Sequence, residues 1–258
     1  MTNQKNSPIS RRTLLRSGGA VVASGVVLAA CGGSTGNTVT RIGEQPESQP
    51  LGEAKVDDVV LLRTAQSVEK MVADILTDSR ITSVLSGQNA TIVAAFAAAH
   101  QRHVSDIAPL VTSRGGESVN EANAKLMTAY GNTVLDLIEQ SKDESDVLTA
   151  LLGFETLVAA TYQYSMSLTV EQSLRADMMR LGAASSRRAA VAAQLINSGT
   201  KAFAADVDAE GNPTVATLPS AFGALNSVQI AVGPPNEVGL RTNVLMDTPS
   251  LNSLLYVS

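Results

Sequence analysis

The chain has no tryptophan, one cysteine (Cys31) and two histidines in 258 residues. Aromatic residues make up 3%, too few to build stacking platforms for bases or sugars. A lone cysteine allows no intramolecular disulfide, so any metal site must draw on histidine, carboxylate or backbone oxygen. The two histidines, His100 and His103, share one helical turn, which leaves no Ser/His/Asp or Cys/His nucleophilic set. Basic charge is in deficit as well: 19 Lys and Arg stand against 24 Asp and Glu, a net charge of −5. That balance argues against nucleic acid as a partner, because phosphate binding needs a basic surface. No Gly-x-Gly-x-x-Gly phosphate loop follows a strand, and no internal repeat is evident.

What is present begins at the N-terminus. Lys5, Arg11, Arg12 and Arg16, with no acid among them, precede an apolar run rich in glycine and alanine over residues 20–30. The run falls short of the about 20 strongly apolar residues that a bilayer span requires. Residues 1–30 therefore read as a targeting segment, outside the fold. The alternative is a basic amphipathic N-terminal helix. Ser10-Arg11-Arg12-Thr13-Leu14-Leu15-Arg16 ahead of Leu28-Ala29-Ala30-Cys31 resembles a twin-arginine export signal joined to a bacterial lipobox. The resemblance implies cleavage before Cys31, lipidation of Cys31 and folding before export. It makes the membrane a partner, with the protein lipid-anchored on the extracytoplasmic face of the cell membrane.

Residues 31–55 are rich in Gly, Ser, Thr, Asn, Gln and Pro and read as a flexible tether. Across residues 56–199 the helical period dominates. It predicts four long helices over residues 56–78, 88–113, 145–168 and 171–198, with a shorter helix over about 121–140 inside the long second connection. That is an all-α, four-helix bundle with a crossover between helices 2 and 3. Residues 200–258 read as an irregular extension wrapping the bundle, broken by short apolar runs at 228–232 and 251–257. Asp206-x-Asp208-x-Glu210-Gly211 is partly similar to a calcium loop, but position 217 is Thr217 rather than the closing acid, so a solvated turn is expected.

Each apolar stripe of the bundle is interrupted by ionisable groups. Glu69 lines up with Leu62, Ala65, Val72, Ala73 and Leu76, while Arg63, Ser67, Lys70 and Asp74 fall on the opposite side. His103 lines up with Ile92, Phe96, Ala99, Ile107 and Leu110, with His100 about 60° around. Glu155 shares a face with Leu148, Leu151, Leu152, Ala159 and Tyr162. On the fourth helix Arg188 lines up with Leu181, Ala184, Ala192 and Leu195, and Ser185 precedes it by three; Arg187 points outward. Buried carboxylates are costly unless paired or bound to metal, so Glu69 and Glu155 have two inward roles open, pairing with Arg188 or metal ligation, besides simple exposure. Tyr162 and Tyr164 are expected to be packing residues.

Residues 56–199 thus resemble the ferritin-like superfamily, nearest to the exported ferritin-like domain proteins of bacteria. Di-iron members take one Glu from each of two helices and Glu-x-x-His from each of the other two. Glu69, Glu155 and His103 fall at family positions, as do Gly115-Gly116 and Asn120-x-x-Asn123 in the connection; position 100 is His100 where the motif has Glu. The fourth-helix register reads Ser185-x-x-Arg188 instead of Glu-x-x-His. The resemblance implies a ferritin-like fold with a degenerate di-iron site: a core network with Ser185 and Arg188, and at most one divalent metal (iron, manganese or zinc) at Glu69, His100, His103 and Glu155. Such a protein binds metal or serves structure without di-iron oxidase activity. The alternatives are an active metal-dependent oxidase, ferroxidase or peroxide-protective protein with unusual ligands, and a membrane-tethered interaction module.

Overall fold

The structure, a computed structural model, describes residues 56–218, 227–249 and 255–256. The targeting segment, Cys31 and the 31–55 tether lie outside the described residues. Among the described residues no helix is long and apolar enough to cross a membrane.

Helix α1 (Asp58–Thr77) opens on Asp57, whose carboxylate accepts N–H bonds from Val59 and Val60. Asp78 ends it and caps the short α2 (Ser79–Thr82). Helix α3 (Gly87–Thr112) follows. The crossover then turns at Gly115 (φ +78°), and Gly116 lies so close to α1 that a Cβ there would meet Val59 Cγ1 at 2.5 Å. It carries α4 (Ala124–Leu126), a π-helical turn (Met127–Gly131) and α5 (Asn132–Ser141). Helices α6 (Glu144–Leu168) and α7 (Gln172–Ile196) complete the four long rods, close to the predicted bounds.

The long helices pack side by side, most extensively α1 on α3 and α6 on α7; further contacts join α1 to α6 and α3 to α7. Their shared core includes Leu62, Val72, Ile107, Phe154, Val158 and Met178. The crossover is stitched to α1 by side chains rather than by apolar contact alone. Buried Gln66 donates to Ser118 Oγ and accepts from the Val119 N–H, and Asn123 donates from its backbone to the Ser67 carbonyl. Ser67, expected on the solvated side of α1, is fully buried for this reason: the crossover covers that face.

The C-terminal extension departs from the irregular tail expected. Strands β1 (Ser227–Val232) and β2 (Thr242–Asp247) pair antiparallel, with Ile230 opposite Val244 and Val228 opposite Met246. The class is therefore a mostly helical bundle with a small sheet. The hairpin seats on α6 at Gly153, where a Cβ would stand 2.6 Å from Ile230 Cγ2 and 2.8 Å from Met246 Cε. Buried Asp146 holds the hairpin loop by accepting from the Gly233 N–H (2.9 Å) and from Arg241. Helix α6 is apolar nearly all round because one side faces the bundle and the other the hairpin. The Asp206–Gly211 segment forms an exposed turn, as expected: Asp208 accepts from the backbone N–H groups of Glu210 and Asn212.

Candidate metal centre

All four long helices contribute to one buried cluster. Helix α1 supplies Glu69, α3 supplies His100 and His103, α6 supplies Glu155 and Tyr162, and α7 supplies Ser185 and Arg188. Glu69, His100, Glu155 and Ser185 are wholly inaccessible to solvent, and Arg188 is 9% exposed.

The contacts form a continuous chain. His103 Nδ1 lies 3.0 Å from Glu69 Oε1, which also accepts from the Tyr162 hydroxyl at 2.7 Å. Glu69 Oε2 lies 2.5 Å from His100 Nδ1, and His100 Nε2 lies 2.9 Å from Glu155 Oε1. Arg188 Nε donates to the same Glu155 oxygen at 2.7 Å, and its Nη2 donates to Ser185 Oγ at 2.8 Å. The Phe96 ring lies 6.0 Å from the Arg188 guanidinium carbon, a cation–π contact on the apolar side.

These contacts dictate the protonation pattern. Both nitrogens of His100 face carboxylate oxygens, which only accept while ionised, so both carry protons and the ring is an imidazolium. Burial opposes that charge, but Glu155 and Glu69 outweigh it and push the His100 pKa up to about 9. Burial also opposes ionisation of Glu69, and is overcome by the charge and hydrogen bonds of His100 and His103, which hold its carboxyl far below the usual range. Tyr162 is pushed well above the ordinary phenol value, first by burial and then by the Glu69 charge its hydroxyl faces, so it stays a neutral donor. Two carboxylates thus balance one imidazolium and one guanidinium.

The five ionisable positions singled out from the sequence do come together, with one difference from the expected order and one open alternative resolved. His100, not His103, sits at the centre; His103 keeps 13% of its side chain exposed. The buried stripe of α3 is Val93, Phe96, Ala97, His100, Val104, Ile107 and Val111. Alanines populate α3 nearly all round, so the apolar face is broad and its midpoint is ill-defined by periodicity. Arg188 also chooses between the acids: it reaches Glu155, while Glu69 is held by the histidines and Tyr162. Tyr162 was legible as a core position, but its bond to Glu69 carried no sequence signal, since it depends on the angular match of α1 and α6.

Glu69, His100 and His103 each offer a ligand atom, all within 4.8 Å of one another, so this end of the cluster can hold a metal ion. His100 becomes a ligand only by giving up a ring proton. The far end does not fit a second ion: α7 presents a serine hydroxyl and a permanent cation. Comparison with protein-family models, with curated proteins and with solved structures finds no match to this chain.

Proposed function

We propose that this chain is a lipid-anchored, ferritin-like protein whose di-iron site has degenerated into a carboxylate–histidine–arginine network. Its role is structural or metal-binding, with at most one divalent ion (iron, manganese or zinc) held by Glu69, His100 and His103, and Glu155 nearby. The observation that carries the reading is Arg188 Nε at 2.7 Å from Glu155 Oε1, on the helix where the family pattern requires a Glu-x-x-His ligand pair. A guanidinium there supplies positive charge and a directed N–H bond without being a ligand. Elemental analysis of purified protein produced with iron, manganese and zinc present tests this. The expected content is no more than one ion per chain; two tightly bound irons would overturn it.

The ligand cluster of Glu69, His100 and His103 also supports a second reading, a metal-dependent oxidase or peroxide-protective protein. It requires oxygen- or peroxide-dependent oxidation of ferrous iron by the purified protein, abolished in Glu155→Ala. An equal rate with the variant or with buffer rejects it.

A further inference from the structure

We infer that Arg188 sets the number of ions this centre accepts: its guanidinium holds the place of a second divalent cation beside Glu155, and neutralising it opens that place to a metal. The inference rests on the reading above, in which the unaltered centre takes at most one ion.

The geometry around Glu155 carries it. Arg188 spends a single N–H, Nε, on the carboxylate and turns Nη2 to Ser185, so the two-pronged pairing usual for arginine and carboxylate is not made. The two donor contacts on Glu155, one from Arg188 and one from His100, converge on Oε1. Glu155 Oε2 is fully buried and has no hydrogen-bond partner among the described residues. An ionised oxygen in that state is costly in a low-dielectric interior unless a cation lies close by. Arg188 provides the charge but leaves the bond unmade, so Oε2 is a vacant ligand atom under electrostatic guard. Without the guanidinium, Glu155 would keep only the His100 imidazolium among the described residues, shared with Glu69, and the loss of one positive charge beside Oε2 would favour a bound cation.

The test compares the full chain with Arg188→Gln, Arg188→Lys and the double variant Ser185→Glu/Arg188→His. Each is loaded with excess manganese or zinc, freed of loose ions and analysed for ions per chain; thermal unfolding is followed with and without chelator. The parent and Arg188→Lys should hold at most one ion. Arg188→Gln and the double variant should each hold one more, with a melting temperature that falls on chelation and recovers with metal. Should Arg188→Gln fold only in the presence of metal, that dependence is the same result in stronger form. If neither neutralised variant gains an ion over the parent, the inference fails while the proposed function stands. If the parent itself holds two, it is the proposed function that fails.

Discussion

At the scale of single residues, the centre is a chain of charges in which His100, Glu155 and Arg188 each depend on a neighbour for their pairing. Arg188→Gln leaves Glu155 buried with His100 as its only partner among the described residues, and Glu155→Gln strands Arg188 and half of His100. Breaking one partner of a buried ion pair costs about 3–5 kcal/mol. Each single variant should therefore lose stability of that order in urea unfolding of metal-free protein. The double variant should lose clearly less than the sum of the two, because the stranded charge is gone. Additive losses would show that the pair is not coupled. The pH dependence follows from the same contacts. His100 has a folded pKa of about 9, above its ordinary 6.5. Its contribution is complete below about pH 6.5 and is lost as pH rises through 9. Glu69 is depressed from 4.5, so its contribution is present above that value and lost as pH falls through its lowered folded pKa. From these two groups, metal-free stability should peak between about pH 4.5 and 6.5 and decline toward pH 9. His100→Gln should flatten the alkaline decline, and a decline of equal steepness in that variant would assign it to other groups.

At the scale of elements, glycines set how closely the parts approach. Gly182 of α7 faces Tyr162 of α6, and a Cβ there would stand 2.8 Å from Tyr162 Cβ. Alanine would gain about 1 kcal/mol of helix propensity. The obstructing atom is next to the α6 backbone and cannot swing away, so overpacking of about 1–3 kcal/mol should prevail. Gly182→Ala is thus expected to be destabilised in urea unfolding, and a more stable variant would contradict this packing. The hairpin adds a polar contact to its apolar seat on α6. Asp146→Ala should raise amide hydrogen exchange in Ser227–Val232 and Thr242–Asp247, because Gly233 and Arg241 lose their buried acceptor, while α1 and α3 keep their protection. Unchanged exchange in both strands would show that apolar contact with α6 suffices.

The hairpin also marks where sequence reasoning stops short. The apolar run 228–232 was visible, but its partner strand lies beyond a loop that begins Gly233-Pro234-Pro235, with no two-residue turn to announce a hairpin. The signal was elsewhere, in the unbroken apolar surface of α6, which needs a second cover besides the bundle. The four long helices were legible because each carries a sustained helical period with polar or glycine breaks between them. Glu69 and Arg188 were legible because each falls on the apolar side of its helix, and Glu155 because it is the one ionisable group in the middle of a helix that is apolar nearly all round. His100 was misplaced relative to His103 because α3 has no sharp stripe to interrupt.

At the scale of the whole molecule, one depth of the bundle is fixed by charge. Glu69, His100, Glu155 and Arg188 come from four different helices and neutralise one another without an ion. The rods are then held in mutual register by directed bonds as well as by close packing, with Phe96 and Tyr162 closing the cluster on its apolar sides. The most direct measurement of that claim is the nitrogen-15 spectrum of the His100 ring in chelator-treated protein at neutral pH. The network predicts an imidazolium with both ring nitrogens protonated, each coupled across a hydrogen bond to a carboxylate. A neutral ring with one bare nitrogen at that pH would contradict it, for Glu69 and Glu155 would then lack the shared cation that joins them.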